Sequence, residues 1–283
     1  MSNVIVNAMS VDVEDYFQVS AFENVVLRNS WPNIALRVEK NVERILQLFD
    51  DHDVKATFFT LGWLATRLPS MVVKISEAGH EIASHGMNHQ RVTNFDPKRF
   101  RADVAQSKQL LEAISGQAVL GYRAPSYSIG RDNLWALDEL ASAGFTYSSS
   151  IYPIKHDHYG MPEAPRFAFK PREHNLIEIP VTTVNAFGKK FPCGGGGYFR
   201  LYPYVFSRWA IRRVNNYDHQ AAVFYFHPWE IDPNQPRISG LNKRSRFRHY
   251  LNLTRMEDRL TRLASDFTWD RMDRVFAPLI ARQ

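Results

Sequence analysis

Two histidines four residues apart, His85 and His89, follow a short apolar run. An earlier apolar run is followed by three carboxylates, Asp12, Glu14 and Asp15. Imidazoles at positions i and i+4 share one face of a helical turn, so both rings could contact a single ion. A carboxylate from elsewhere would complete three protein ligands and leave a position open for water, as in hydrolytic zinc sites. These residue types at this spacing predict a metal-dependent hydrolase.

Taken alone, each of these groups and several later residues also have a structural explanation. Acidic residues often cap helix N-termini. Arg123 could be an ion-pair partner, Pro125 could shape a turn, and a lone histidine such as His227 usually belongs to the core. A functional site is favoured because all of them directly follow strand-like segments, where they would meet at one rim of a folded domain.

Strand-like apolar runs alternate with helical patterns through most of the chain. We expect seven strands, within residues 4–12, 56–61, 81–83, 118–122, 145–147, 176–179 and 222–226. Apolar residues at helical spacing predict helices within residues 38–49, 71–78, 97–114, 133–143 and 205–214. This alternation is typical of an α/β protein whose parallel sheet is covered by helices on both faces.

Closure of this sheet into a barrel explains the chemistry best, because such barrels place their active sites directly after the strands. The polar residues in that position are Asp12, His85, Arg123, Ser148 and His227. An open doubly wound sheet is the alternative architecture, but no glycine-rich nucleotide loop follows the first strand.

Three segments depart from the strand and helix pattern. Residues 152–172 are rich in proline, histidine and charge, which predicts a long loop beside the site. The glycine run over residues 194–197 either lets the backbone approach a ligand or forms a flexible linker. The capping-box spacing of Thr254 and Glu257, followed by an apolar stripe, predicts a C-terminal helix packed on the barrel.

The bulk composition indicates a globular protein with a sizeable core, since 45% of the 283 residues are hydrophobic and 23% are charged. The single cysteine, Cys193, excludes an intrachain disulfide. We expect a cytoplasmic protein, because no signal peptide is visible and no apolar run reaches the roughly 20 residues that span a bilayer.

The net charge of +6 is unevenly distributed. The segment between Asp232 and Glu257 contains no acidic residue but holds six Lys and Arg residues. Such a run indicates either a solvated face or attraction to an anionic polymer or membrane surface. No nucleic-acid-binding motif accompanies it, so we expect no nucleic-acid partner.

The motifs carry a family resemblance. They are Ser-Val-Asp12-Val-Glu14-Asp15, Ala56-Thr-Phe-Phe59, Ser84-His85-Gly-Met-Asn-His89, Arg123-Ala-Pro125 and Phe226-His227-Pro228. In this order they resemble the NodB-homology polysaccharide deacetylases, carbohydrate esterase family 4, over residues 4–230. A closer likeness is to the deacetylases encoded in exosortase and exopolysaccharide loci. The segments that carry it are Asp12-Val-Glu-Asp-Tyr-Phe17, Gly194 to Arg200 and His227-Pro-Trp-Glu-Ile-Asp232.

The resemblance implies a distorted (β/α)7 barrel of the NodB-homology type, similar to a TIM barrel, with a C-terminal helical extension. We accordingly expect a barrel over residues 1–232 and an extension over residues 233–283, packed together as one structural domain. The resemblance also implies hydrolysis of acetyl groups from N-acetylated amino sugars. One divalent metal would be needed, with zinc as the first choice and cobalt or nickel as alternatives.

By motif position, the resemblance also implies a role for each site residue. His85 and His89 would be metal ligands, and Asp12 would be the general base for the attacking water. Arg123 would orient Asp12, and His227 would protonate the leaving amine. Residues that stabilise the oxyanion or contact the substrate would complete the rim: Pro125, Ser126, Tyr127 and Trp229.

One departure from the family pattern concerns the third metal ligand. The family usually has adjacent aspartates after the first strand, whereas here Val13 separates Asp12 from Glu14. Strand alternation places residues 12 and 14 on the same side, which favours Glu14 as the ligand. Asp15 is the alternative, because the strand could end before it.

A second departure concerns the partner of the catalytic histidine. Ser148 stands after the fifth strand, where many family members have an aspartate that holds this histidine. Glu230 or Asp232 could take over that role for His227, and the sequence leaves the choice between them open.

Two other function classes stay open. The protein could deacylate a different amide, such as a small nitrogen heterocycle or peptidoglycan. It could also be a carbohydrate-binding relative without catalysis, with aromatic side chains stacked on sugar faces: Trp63, Tyr127, Tyr198 and Trp229. The expected location favours a nascent or lipid-linked glycan as partner, with peripheral association at the inner membrane face left open. The oligomeric state is not predicted.

Overall fold

A computed structural model describes residues 4–156, 160–171, 174, 176–186 and 188–281 of the chain. Its strands are β1 (Val6–Val13), β2 (Thr57–Thr60), β3 (Glu81–Ser84), β4 (Gly121–Tyr122), β5 (Tyr147–Ser148), β6 (Ile177–Glu178), β7 (Thr183–Ala186), β8 (Lys189–Pro192), β9 (Val223–Phe226) and β10 (Thr268–Asp270). Its α-helices are α1 (Val38–Asp51), α2 (Gly62–Arg67), α3 (Pro69–Glu77), α4 (Pro97–Ser115), α5 (Trp135–Ser142), α6 (Gly196–Leu201), α7 (Tyr204–Asn216), α8 (Lys243–Tyr250), α9 (Met256–Asp266), α10 (Met272–Val275) and α11 (Ala277–Ile280). Short 3-10 helices span Ser20–Phe22, Arg28–Asn33, Val92–Asn94, Pro125–Tyr127, Arg131–Asn133, Pro228–Ile231 and Leu253–Arg255.

Eight parallel strands form one curled sheet, in which the seven barrel strands follow the order β9-β1-β2-β3-β4-β5-β6 and β10 also pairs with β1. Strand β1 lies between two neighbours: residues 10–13 pair with β2, and residues 8–11 pair with β9 on the other side. Because all these pairings are parallel, the carboxyl ends of the strands meet at one rim. The predicted seven-stranded sheet of a (β/α)7-type barrel is confirmed.

The barrel closes between β6 and β9 through loop residues, because no ladder between these two strands is found in the described part of the chain. The backbone N–H of Thr182 donates to the Val223 carbonyl at 3.2 Å, and that of Tyr225 donates to the Gly194 carbonyl at 2.8 Å. The Thr182 hydroxyl also accepts from the Val223 N–H at 2.6 Å. This irregular seam distorts the barrel.

The helices cover the outer face of the sheet, as their apolar spacing predicts. Helix α1 turns apolar residues at helical spacing toward the core: Val38, Val42, Ile45 and Phe49. Helix α4 begins where the Asp96 carboxylate accepts from the Arg99 N–H at 2.9 Å, and it ends at Gly116 with φ 67°. Among the described residues, no helix combines the length and apolar character needed to cross a membrane.

Some local expectations do not match the structure. The sequence pattern did not indicate the antiparallel hairpin β7–β8 or the strand β10, which are too short to show a clear alternation. The capping-box prediction is wrong, because Thr254 lies in a 3-10 turn and α9 begins at Met256 without a side-chain cap. The predicted C-terminal helix itself is confirmed. In the predicted loop 152–172, residues 157–159 and 172 lie outside the described residues.

The C-terminal segment closes the barrel at the end opposite the rim. Strand β10 pairs in parallel with residues 6–8 of β1. Met272 follows it and is fully buried against Phe59, and its N–H donates to Thr57 Oγ1 at 2.8 Å. Thr57 is the first residue of β2, so this contact lies at the amino ends of the strands. The division of the chain at residue 232 stays a prediction.

Candidate metal centre and active site

The rim of the barrel collects the polar residues that follow the strands. Asp12 lies near the end of β1 and Glu14 directly after it. His85 follows β3, Arg123 follows β4 and His227 follows β9. All of these side chains except His227 are buried. Because they lie at the carboxyl ends of parallel strands, the structure brings together the residues that the sequence singled out.

Glu14, His85 and His89 form a compact three-ligand group. The Glu14 Oε1 atom lies 3.0 Å from His85 Nε2 and 2.9 Å from His89 Nε2. All three side chains are buried, and their possible ligand atoms lie within 4.8 Å of one another. Oxygen and nitrogen atoms at this separation suit an ion that binds each of them at about 2 Å.

The hydrogen bonding of His85 supports this assignment. Its Nδ1 atom lies 2.8 Å from the carbonyl oxygen of Arg123, and a carbonyl can only accept, so Nδ1 carries the proton. When the ring is neutral, the lone pair of Nε2 therefore points at the Glu14 carboxylate, and the two repel each other. A cation bound between them would remove this repulsion. Metal-binding histidines commonly have such a backbone carbonyl on their second nitrogen. The donor set therefore fits a divalent metal.

Electrostatics favour an ionised Glu14. Burial by itself raises the pKa of this carboxyl, but its interactions with the imidazoles of His89, His227 and His85 outweigh burial. The pKa of Glu14 is therefore lowered well below its usual value. An anionic carboxylate between two imidazoles is the state that a metal ligand needs.

A loop, and not a helical turn, brings the two imidazoles together. Residues 85–89 form no helix. The chain turns through Gly86 with φ 75° and His89 with φ 51°, both in the left-handed region. A non-glycine residue in this region is strained, and such strain is often found at functional sites. The i and i+4 spacing of the histidines was informative, but the helical explanation of it is wrong.

Asp15 faces away from this group and caps a helix. Its Oδ2 atom accepts from the backbone N–H groups of Arg37 and Val38 at 2.7 and 3.0 Å, at the start of α1. Its Oδ1 atom accepts from the Tyr16 N–H at 2.8 Å. Of the two carboxylates that the sequence left open, Glu14 is the one that contacts both histidines.

A buried ion pair joins Asp12 to Arg123. The Arg123 Nη1 atom donates to Asp12 Oδ1 at 2.6 Å and to Ser10 Oγ at 2.9 Å. Its Nε and Nη2 atoms donate to the carbonyl and hydroxyl of Ser149 at 3.1 and 2.9 Å. The guanidinium also lies 4.0 Å from the Phe59 ring centroid. These contacts hold one oxygen of Asp12 in a single orientation.

His227 is held by a carboxylate that itself pairs with an arginine. The His227 Nδ1 atom lies 2.7 Å from Glu230 Oε1, and Arg200 Nε donates to Glu230 Oε2 at 2.7 Å. Glu230 and Arg200 are both buried. The other ring nitrogen, His227 Nε2, lies 3.9 Å from Glu14 Oε1 and so faces the three-ligand group. Sequence reasoning did not identify Arg200 as part of this arrangement.

The charges around His227 favour its protonated form. Burial lowers the pKa of the imidazole, but the carboxylates of Glu14 and Glu230 outweigh burial and raise the pKa to about 9. Asp232, the other candidate partner, pairs with Arg37. Ser148 donates to Ser150 Oγ at 2.8 Å. Glu230 therefore occupies the position that the sequence left open between two acids.

Three of the four glycines, Gly194 to Gly196, pack tightly against the protein, so the run does not form a flexible linker. A Cβ atom on Gly196 would lie 2.3 Å from Glu230 Oε1, and one on Gly194 would lie 2.4 Å from the Val223 carbonyl oxygen. These glycines let the start of α6 approach the acid that holds His227. The short distance in sequence between Arg200 and these glycines could have indicated that the glycine run packs beside the site.

Three of the four residues expected to contact the oxyanion and the substrate lie on a tight turn beside the site, whereas Trp229 lies in the 3-10 helix Pro228–Ile231. Pro125–Tyr127 form a 3-10 helix, and Ser126 and Tyr127 both have positive φ, 56° and 50°. The Ser126 hydroxyl contacts that of Ser20. A cavity of about 290 Å³, lined in part by His89 and Trp31, opens next to the three-ligand group.

The four aromatic residues proposed to stack on sugars are mostly covered by protein. Trp229 is buried, and its ring stacks on His227 at 5.1 Å. Tyr127 packs on Tyr225 at 5.0 Å, and Trp63 packs on Trp31 at 5.4 Å. Tyr198 is partly buried against the cluster around Tyr127.

Two family models match successive parts of the chain. Residues 31–148 match the model described as polysaccharide deacetylase, and residues 149–277 match a domain of unknown function, DUF3473. A peptidoglycan-N-acetylglucosamine deacetylase of Bacillus cereus is 31% identical over 97 residues, which are 34% of this chain and 35% of that protein. The chain thus spans about a third of the length of this curated relative.

Solved structures share the fold at low sequence identity. A Mycobacterium smegmatis protein assigned to the polysaccharide deacetylases aligns over 100% of this chain and 93% of its own, with a TM-score of 0.64 and 19% identity. A CE4-family pseudoenzyme from Bacillus anthracis covers 97% of this chain and 66% of its own, with a TM-score of 0.50 and 15% identity. These likenesses show the fold alone, and activity depends on the residues at the rim.

Proposed function

We propose that this protein is a metal-dependent hydrolase that removes N-acetyl groups from amino sugars of a glycan, since residues 31–148 match the model described as polysaccharide deacetylase. The proposal is carried by one observation, the contact of Glu14 Oε1 with Nε2 of both His85 and His89. A buried Asp12–Arg123 pair and a carboxylate-held His227 lie on the same rim.

Glu14, His85 and His89 would hold the metal, for which we propose zinc. Two imidazoles and one carboxylate are a ligand set typical of catalytic zinc, and cobalt or nickel could occupy the same set. When bound, the ion supplies Lewis acidity to the attacking water and to the acetyl carbonyl. Asp15 is assigned the structural role of capping α1.

Asp12 would act as the general base. Its Oδ1 atom is occupied by Arg123 at 2.6 Å, which leaves Oδ2 to take the proton from the attacking water. Arg123 keeps the carboxylate oriented, and Ser149 in turn holds Arg123 through two hydrogen bonds. The backbone N–H near Ser126 would stabilise the oxyanion of the tetrahedral intermediate.

His227 would act as the general acid for the departing amine. The Glu230 carboxylate accepts from Nδ1, so that the proton on Nε2 points toward the three-ligand group. A sugar amine is a poor leaving group, and its departure needs this proton. Glu230 would take the part that an aspartate after the fifth strand has in many family members.

The substrate is proposed to be a nascent exopolysaccharide or its lipid-linked precursor, handled in the cytoplasm. Two alternatives share the same rim: another amide, such as peptidoglycan, or glycan binding without catalysis. One solved structure with this fold is described as a CE4-family pseudoenzyme, so the fold alone does not establish catalysis. The presence of base, ligands and acid in one chain supports catalysis.

Acetate release is the direct test. The purified chain, loaded with zinc, would be assayed on N-acetylglucosamine oligomers, lipid-linked sugars, peptidoglycan and isolated exopolysaccharide. We expect acetate release that EDTA abolishes and zinc restores, with one divalent ion per chain. Glycan binding in EDTA with no acetate release from any substrate under zinc would instead identify a carbohydrate-binding protein.

A further inference from the structure

Helix α8 carries a concentration of positive charge on the protein surface. The sequence between Asp232 and Glu257 contains no acidic residue. Within α8, four basic side chains are exposed: Lys243, Arg244, Arg246 and Arg248. Phe247 lies among them with 57% of its surface exposed. A basic face that carries an exposed aromatic side chain has the composition of a helix that binds at a membrane interface.

The two faces of α8 differ in composition. His249 is buried, its Nε2 atom lies 2.6 Å from Gln235 Oε1, and Ser245 on the same face is partly buried. At helical spacing, Lys243 and Arg244 lie four and three residues before Phe247 and therefore flank it on the outer face. The outer face is thus one apolar side chain bordered by cations.

Hydrogen bonds from the buried side chain of Arg200 connect α8 to the candidate active site. Arg200 donates to the carbonyl oxygens of Arg248, His249 and Leu251 at 3.2, 3.0 and 2.6 Å. The same guanidinium pairs with Glu230, the partner of His227. Helix α8 is therefore held in a defined position relative to the rim.

We propose that the outer face of α8 docks on the surface of a bilayer that contains anionic lipids. The cations would face the lipid headgroups, and Phe247 would insert at the boundary with the acyl chains. An exposed apolar side chain within the basic face favours a bilayer over a soluble polyanion, which would leave Phe247 without an apolar partner. The link through Arg200 would hold the active site beside the membrane surface.

Vesicle co-sedimentation of the full chain tests this proposal without any glycan. We expect binding to phosphatidylglycerol-containing vesicles, little binding to pure phosphatidylcholine vesicles, and loss of binding in about 1 M salt. The double variant Lys243→Gln, Arg246→Gln should weaken binding roughly 25-fold, at about 5-fold for each charge. Phe247→Ser should weaken it roughly 5- to 10-fold.

Matched controls remove the same groups elsewhere. Lys98→Gln with Arg99→Gln removes two exposed cations from α4, and Tyr217→Ser removes an aromatic residue that is 69% exposed. Both controls should bind as the unchanged chain does. Equal losses in the controls, equal binding to neutral vesicles, or unchanged binding of the α8 variants would overturn the proposal. So would binding to a soluble polyanion in place of vesicles.

The proposal about α8 is independent of the proposed function. Acetate release from a soluble N-acetylglucosamine oligomer should be the same in the α8 variants and in the unchanged chain. A chain that binds anionic vesicles but releases no acetate would support the docking surface and contradict the deacetylase proposal alone.

Discussion

The two sides of the candidate site differ in how their charges are balanced. On the Glu14 side, one carboxylate lies within 3.0 Å of two imidazole nitrogens, and the tautomer of His85 directs a lone pair at it. On the His227 side, each charged group has a protein partner, since Glu230 contacts both the imidazole and Arg200.

This difference suggests what each side can do. On the Glu14 side, a carboxylate oxygen and an imidazole lone pair repel each other unless a cation lies between them. Such a site can bind an ion and release it again. A closed set of buried ion pairs instead fixes the orientation and protonation of one side chain, and breaking it leaves a buried charge unpaired. We therefore expect substitutions on the first side to remove the metal, and substitutions on the second side to change the pH dependence and the response to the leaving group.

The largest effect is expected from the ligand side. His85→Ala and His89→Ala should each remove the metal and lower acetate release by roughly 10³-fold or more, because several kcal/mol of transition-state stabilisation depend on the ion. The fold should survive, since the barrel core is large. Elemental analysis and thermal melting measure both outcomes. His52→Ala, at the end of α1, is the matched control, and full metal content in either ligand variant would contradict the assignment.

Asp12→Asn distinguishes the base from the ligands. It should keep the metal and lose roughly 10²- to 10⁴-fold in turnover, the usual contribution of a general base or acid. Metal content measured beside kcat separates the two roles. Loss of the metal in this variant would make Asp12 a ligand and require another base. A fall in melting temperature is also expected, because Arg123 loses its buried partner.

Glu230→Gln tests the closed side of the site. The imidazolium loses a stabilising carboxylate, so the pKa of His227 falls. Because the protonated form donates to the amine, activity declines as pH rises through this pKa, and the alkaline limb of the pH–rate profile should move to lower pH. We expect roughly 10- to 100-fold lower kcat on an N-acetyl sugar. An activated ester, which needs no proton on its leaving group, should lose much less.

Asp232→Asn is the matched comparison for Glu230→Gln, because Asp232 pairs with Arg37 and does not contact His227. It should leave the alkaline limb and the ratio of amide to ester activity unchanged. If Glu230→Gln lowers amide and ester turnover equally, the role of Glu230 is structural only. If Asp232→Asn shifts the alkaline limb instead, then Asp232, and not Glu230, is the carboxylate that controls His227.

The smallest effect on activity is expected at Asp15. Asp15→Ala should keep the metal and most of the turnover but destabilise the fold by roughly 1–3 kcal/mol, because the N–H groups of Arg37 and Val38 lose their acceptor. Urea unfolding measures this change. Asp51→Ala, which removes an exposed carboxylate at the other end of α1, should change the free energy of unfolding by less than about 0.5 kcal/mol. Metal loss in Asp15→Ala would reopen its role as a ligand.

The amino-acid sequence alone indicated the positions of the seven barrel strands along the chain, most of the helices, and which polar residues reach the rim. All three follow from local patterns, since apolar periodicity identifies the elements and parallel strands bring their carboxyl ends to one edge. Val13, Ser84, Tyr122 and Phe226 end strands of the sheet, and a polar residue of interest follows each of them. No distant contact was needed to predict these positions.

Only the tertiary structure decided which acid does what. Glu14 and Asp15 are neighbours in sequence, yet one contacts two imidazoles and the other caps α1, because the chain leaves the strand between them. Glu230, and not Asp232, pairs with Arg200, and Gly196 at the start of α6 leaves room for the Glu230 carboxylate because it has no Cβ atom. Such choices depend on the direction of side chains and on contacts between distant segments, and no local periodicity encodes either.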